Sequence, residues 1–313
     1  MSEAKEKKRI GILRGGHIGN YEDSLAKGGE LISHISENLS DKYKVVDILI
    51  DKEGIWYING LPILPVDLMH RVDVVWNTAH SSFQNILKDF SIPNIGVTPF
   101  SKVVGDSREM LQEHMKKIGV EMPRHIIFPV YQKDFDGPKE KYVNKKAREV
   151  LEKFGAPWIV KSFNPDSNIG VHIAKTFPEL IDAIADIVSH SDSVLVEELI
   201  SGKNAFMHTV GGFRGDLPTQ AGDIYVFPPL GFSKDEKEKL IKMAKNIHNH
   251  LGIEYYLKSN FVVNNKKGIF LTSVEFSPDL KKGSHFCKAC ISVGAKSHHV
   301  LEHILKLSFN KKE

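Results

Sequence analysis

The stretch VDVVWN, residues 72–77, is an apolar run without the strict alternation of a half-exposed strand. A strand of that kind is buried on both faces, as parallel strands are when crossover helices cover the sheet. Its neighbours fit the same plan. RIGILRGG (9–16) is a strand running into glycines. Residues 24–39 carry apolar side chains at Leu25, Leu31, Ile32 and Ile35 and are predicted to be helical. KVVDILI (44–50) is a second strand. This order is βαβ grammar, and it predicts an N-terminal parallel-sheet segment of the α/β class. IPNIGVTPF (92–100) reads as a loop closing that unit, and a helix over 107–118 ends at Gly119.

A different style begins near residue 120. RHIIFPV (124–130), a helix up to Phe154, PWIVKSF (157–163), the loop NPDSNIG (164–170) and VHIAK (171–175) form a mixed α+β block. VLVEELI (194–200), FMHTVGGF (206–213) and DIYVFPP (223–229) are strand-like, residues 233–251 are helical, and 295–309 make a terminal helix. Between them, two apolar runs flank NNKKG (264–268), so 257–276 reads as a hairpin. A chain of 313 residues divides into two or three domains.

Composition bounds the function. The net charge of +3 is small for this length and does not argue for nucleic acid; the KEKK of 5–8 reads as a solvated tail. No apolar run approaches the roughly 20 residues of a membrane span. The charged start leads into RIGILRGG without the pattern of a signal peptide. Two cysteines do not make a disulfide scaffold, so a reduced, cytoplasmic setting is expected.

Several segments carry chemistry, each with a bland reading beside it. Glycines after the first strand let backbone N–H groups approach an anion, or form a plain tight turn. Glu22 and Ser24 open the following helix as caps, or Glu22 holds a substrate ammonium. Lys161 ends a strand before a small-residue loop and either reaches a phosphate or is solvated. Glu197 and Glu198 mark an exposed edge or border an adenine slot. His80 sits at a βα loop, where α/β sheets bind ligands, or pairs with backbone. Cys287 and Cys290, with histidines nearby, form half of a zinc site or two small buried thiols. On the hairpin, Lys258 and Asn260 share a face, as do Glu275 and Ser277, because side chains alternate with period two.

The order of these segments is more specific than any one of them. A strand with Gly-Gly, Glu22-x-Ser24, VVWNTAH (74–80), a basic helix start at Arg108, PWIVK plus a loop, VLVEELISG, and a hairpin ending VEFSP (274–278) together resemble the ATP-grasp superfamily. Within it the likeness is to D-alanine–D-alanine ligase, over residues 9–309. The resemblance implies an ATP-grasp fold: a Rossmann-like α/β domain (1–100), a central α+β lobe (101–192) and a C-terminal α+β lobe (193–313). It implies ATP between the last two, Mg²⁺, small-molecule substrates such as an amino acid or short peptide, and a homodimer. It implies Arg108 and Lys161 on phosphates, and Glu197, Glu198, Leu199 and Asn204 around the nucleoside. Glu22, Ser24, His80 and Ser284 fall on substrate-binding positions, Glu22, Ser167 and Lys258 on catalytic ones, and Glu275, Asn260 and Ser277 on the metal.

The departures matter as much. Asp166 and Asn168 stand in the glycine-rich loop where Gly and Ser are usual, and Asn204 replaces the ribose-binding glutamate. LPTQAGDIYVFPPLGF (217–232) is too short for the family's substrate-closing loop. At the hairpin Lys258, Asn260 and Ser277 replace Arg, Asp and Asn. One carboxylate, Glu275, therefore remains for a metal that usually takes one or two plus phosphate oxygens. Three functions stay open: an ATP-dependent carboxylate–amine ligase working through an acyl phosphate, a nucleotide-binding homologue with a regulatory or scaffolding role, or a plain peptide- or amino-acid-binding module that ignores nucleotide.

Overall fold

A computed structural model describes residues 6–16, 21–163, 169–214 and 223–310. The chain forms two compact units, and the division does not run along the sequence. The first comprises 1–120, 205–261 and 273–313; the second comprises 121–204 and 262–272.

The first unit opens with β1 (Lys8–Gly15), α1 (Tyr21–Asn38), β2 (Tyr43–Ile50), β3 (Trp56–Ile58) and β4 (Leu61–Ile63). A 3₁₀ turn (Pro65–His70) leads to β5 (Val74–Asn77), α2 (Phe83–Asp89), β6 (Asn94–Ile95), α3 (Pro99–Asp106) and α4 (Arg108–Lys117). The sheet order is β4-β3-β2-β1-β5-β6. β1 runs parallel to β2 and to β5, with Ile10 opposite both Val45 and Val74, while β3 and β4 extend the sheet antiparallel. The parallel core thus matches the βαβ pattern. Residues 92–100, expected as a loop, instead hold β6 and the start of α3. Thr98 caps that helix by accepting from the Ser101 N–H, and Pro99 occupies its first turn.

The second unit contains β7 (His125–Phe128), α5 (Lys133–Asp136), α6 (Lys139–Lys153), β8 (Trp158–Ser162), β9 (His172–Ala174), α7 (Phe177–Ser189) and β10 (Val194–Glu198). The sheet order is β7-β10-β8-β9, with each pair antiparallel. Helices α6 and α7 bury Val143, Ala147, Val150, Leu180, Ile184 and Ile187 with Trp158, Val160, Val194 and Val196 of the strands. Every residue of β10 is buried, so Glu197 and Glu198 do not lie on an exposed edge.

The remaining elements are β11 (Lys203–Gly211), β12 (Ile224–Val226), α8 (Lys234–His250), β13 (Tyr256–Asn264), β14 (Gly268–Glu275), α9 (His285–Ser292) and α10 (Ser297–Asn310). Their strands form a sheet of order β12-β11-β13-β14. Ser233 and Glu236 make a capping box that starts α8. In the first unit Ile10, Ile12, Leu31 and Ile35 share one apolar core with Val210, Val300, Leu301 and Ile304.

Candidate active site

The hairpin β13–β14 gathers a bonded polar cluster in the first unit. Side-chain alternation puts Lys258 and Asn260 on the same face as Ser273 and Glu275. The Lys258 ammonium donates to Glu275 Oε1 at 2.9 Å, and Asn260 Nδ2 donates to the same oxygen at 2.9 Å and to Ser273 Oγ at 2.8 Å. One oxygen of the only carboxylate in this cluster therefore receives an ammonium and an amide. Ser277 lies two residues beyond the strand end and is partly buried. Beneath it, a Cβ added at Gly105 of α3 would run into the Phe276 ring, so the helix and the end of the hairpin are in close contact.

Ser24, expected as a helix cap, sits inside α1 and is buried. Its hydroxyl accepts from the Gly15 N–H at 2.9 Å and so pins the glycine turn after β1. Gly15 has φ of +84°, and a Cβ there would overlap the Ile50 carbonyl oxygen, which is why glycine holds that position. Glu22 is exposed on the first turn of α1. His80 Nδ1 meets Ser82 Oγ at 2.9 Å, and Asn77 donates to the His80 carbonyl at 3.2 Å, so the NTAH segment is braced by its own side chains. Arg108 is buried at the first position of α4, where the helix dipole opposes a cation. Ser284 caps α9: its hydroxyl accepts from the Cys287 N–H and donates to the Asp279 carbonyl at 2.7 Å.

In the second unit β8 and β10 bring Lys161 and Glu197 together. Lys161 faces Leu195 and Glu197 faces Ile159, so the two are diagonal neighbours on one sheet face. The Lys161 ammonium meets Glu197 Oε2 at 3.0 Å. Glu198 points elsewhere. Arg124 donates to it at 2.8 Å and Lys267 of the hairpin turn at 2.7 Å. Arg124, then Lys267, hold its carboxyl below the usual range against the opposing effect of burial. The Leu199 N–H donates to the Pro157 carbonyl at 3.0 Å, and Asn204 is exposed at the start of β11. Ser167, Asp166 and Asn168 lie outside the described residues, as do 217–222 of the shortened loop.

Arg124 and Lys267 were not singled out by sequence. Lys267 sits in a turn, where a lysine reads as solvated, and only the fold brings it to Glu198. Cys290 is fully buried on α9, and burial, with Cys287 beside it, pushes its thiol up to about 12. Among the described residues no three His, Cys, Asp or Glu side chains gather as metal ligands, so the zinc reading of Cys287 and Cys290 lacks the further ligands it needs. No helix among the described residues is long and apolar enough to cross a membrane.

A family model described as the D-Ala–D-Ala ligase C-terminus matches residues 114–218. The D-alanine–D-alanine ligase of Oceanobacillus iheyensis is 20% identical, over 98% of this chain and 96% of its own length. A D-alanine–D-alanine ligase structure from Coxiella burnetii superposes with a TM-score of 0.74 at 16% identity, covering 98% of this chain and 95% of that one. One from Bacillus anthracis, complexed with ATP, gives 0.69 at 19%, covering 98% of each. The chain has the ATP-grasp fold. Along nearly its whole length the chain is similar to D-alanine–D-alanine ligases.

Proposed function

We propose that this protein is an ATP-dependent carboxylate–amine ligase that joins small molecules, an amino acid or short peptide among them. The observation that carries the reading is the hairpin network, in which Lys258 and Asn260 converge on Glu275. It lies on a fold shared with solved structures named as ligases.

In this scheme a substrate carboxylate oxygen attacks the γ-phosphorus of ATP. The new C–O–P link forms as the β–γ bridge breaks, and ADP leaves. An amine then attacks the acyl carbon; the C–N bond forms, the acyl C–O bond breaks, phosphate leaves, and the amine's proton passes to solvent. Arg108 and Lys161 hold phosphates. Glu197, Glu198, Leu199 and Asn204 border the nucleoside, with the Glu198 carboxylate fixed by Arg124 and Lys267. Glu22, Ser24, His80, Ser167 and Ser284 orient substrates, and fixed orientation alone supplies roughly 7–11 kcal/mol of barrier reduction. Lys258 donates to the oxyanion that forms when the amine attacks.

The hairpin also fits one hard divalent cation. Glu275 is a half-exposed carboxylate, and with the amide oxygen of Asn260 and the Ser277 hydroxyl it would hold Mg²⁺, water and phosphate completing the shell. Bound there, the ion supplies charge neutralisation at the phosphates. The free thiols of Cys287 and Cys290 support a reduced, cytoplasmic setting, and the resemblance supports a homodimer.

The test is phosphate release from Mg-ATP with pairwise panels of D- and L-amino acids. Turnover with at least one pair is expected. Release no faster than with ATP alone, in a sample that binds nucleotide by calorimetry, leaves the second reading, a regulatory nucleotide-binding homologue. What favours that reading is that Glu275 Oε1 already takes two donors. The double variant Asn260→Asp with Ser277→Asn separates the two further. A large gain marks a weakened metal site, and no gain with measurable wild-type turnover marks one adapted to its own chemistry.

A further inference from the structure

Phe206 and His208 lie two residues apart on β11, so both side chains leave the same face of the sheet. That face also carries Lys258 and Tyr256 of β13. His208 is buried, with Nδ1 2.8 Å from the Tyr256 hydroxyl. Burial, and then Lys258 and His285, push its pKa down to about 3, so it stays neutral and adds no competing charge. Nearer the hairpin end, the Lys258 ammonium stands 5.6 Å from the centroid of the Phe206 ring, within cation–π reach. The His285 ring, at the head of α9, stacks on Phe206 with centroids 4.0 Å apart and planes 28° apart. Lys258 is thus bounded by an aromatic seat and by Glu275.

The two contacts differ in permanence. Glu275 is half in water and, under the reading above, is the group that turns to a cation. Once it turns, the ion pair no longer fixes Lys258. A lysine is a point charge on a flexible four-carbon stem, with none of the planar fork that orients an arginine. Its ammonium needs a second restraint, and the ring of Phe206 does not change partner with metal or nucleotide. We propose that Phe206, packed against His285, is a positioning residue that keeps the Lys258 ammonium aimed at the reacting carbonyl when Glu275 is engaged elsewhere.

The inference rests on the ligase reading for its kinetic consequence but not for its geometry, and the experiment separates the two. Lysine-labelled protein is observed by NMR, with the Lys258 side-chain signal assigned by its disappearance in Lys258→Met. The ε-methylene of Lys258 is expected upfield of the other lysines through the Phe206 ring current. That displacement should vanish in Phe206→Leu and persist in Phe206→Trp. In the phosphate-release assay Phe206→Leu should lower kcat about tenfold with KM for ATP unchanged, and Phe206→Trp should stay within threefold of wild type. A merely structural role would move both variants alike, since tryptophan disturbs the packing at least as much as leucine. An unshifted Lys258 signal in the wild type, or equal losses in the two variants, overturns the proposal. If the wild type releases no phosphate with any substrate pair, the ligase reading fails and the ring-current shift alone decides the seat. Should Phe206→Leu not fold, the wild-type and Phe206→Trp spectra still decide it.

Discussion

Two lysine–glutamate pairs of nearly equal length are built in opposite senses. In the second unit Lys161 meets Glu197 at 3.0 Å, and the lysine side chain is 38% exposed against 8% for the acid. In the first unit Lys258 meets Glu275 at 2.9 Å, but there the lysine is 14% exposed and the acid 47%. The buried member of each pair is fixed by its surroundings. The exposed member is the one free to exchange its partner for a ligand. One pair therefore offers a cation to solvent and the other offers an anion.

The largest expected effect tests whether the two units differ in their response to acid. His208 and His248 are both buried in the first unit and titrate at about 3 and about 4, chiefly through burial. Their folded values lie below the ordinary 6.5, so the unfolded chain binds protons more readily and stability is lost as pH falls from 6.5 towards 4. At 1.36 kcal/mol per pH unit, the pair costs the first unit roughly 4–5 kcal/mol by pH 4.5. In the second unit the depressed Glu198 carboxyl contributes stability that is lost only as pH falls below its ordinary 4.5. Hydrogen exchange followed peptide by peptide from pH 7 to 4.5 should therefore quicken in the first unit first. A uniform rise across both would remove the contrast.

Next, Lys258→Met should lower the rate of phosphate release by on the order of 10²–10³, with little change in melting temperature because the Glu275 left behind is half solvated. Turnover close to wild type would show that the inward-facing lysine has no part in the chemistry. Lys161→Met should behave in the reverse way at the level of stability. It removes the Lys161 ion pair of the buried Glu197 carboxylate, which costs about 1–3 kcal/mol in a urea titration, and adding Glu197→Gln should restore part of that loss. The smallest effect is expected from Glu275→Gln, below ~1 kcal/mol in stability because an exposed pair contributes little. Its consequence should appear instead as a higher magnesium requirement in a nucleotide titration. Equal destabilisation by Lys161→Met and Glu275→Gln would erase the inside–outside distinction between the pairs.

Parts of this arrangement are legible in the sequence. The 256–275 hairpin is announced by NNKKG between apolar runs, and period-two alternation places Lys258 and Asn260 on one face of its first strand, while Ser277, expected beside Glu275, falls beyond the second strand. The β3–β4 hairpin is not read, although Asn59 and Gly60 at its turn have φ of 52° and 76°, the pattern a tight hairpin turn demands. Its strands are three residues each, too short to show alternation. Helix α7 is likewise missing from the sequence reading, although Leu180, Ala183, Ile184 and Ile187 have helical spacing and are buried. The Lys161–Glu197 partnership could not be read, because a diagonal contact depends on strand register. Ser24 was legible as a helix residue with a polar role, but its bond to Gly15 requires the strand and helix to be packed.

The first unit draws its core from segments far apart in sequence: Ile10 and Leu31 pack with Leu301 and Ile304. During translation its opening sheet must wait for α10 to be synthesised, by which time the stretch from 121 to 204 has already been made. Vectorial synthesis thus imposes an order on assembly, with the interrupted unit finishing last and exposing unburied apolar surface to chaperones in the interval.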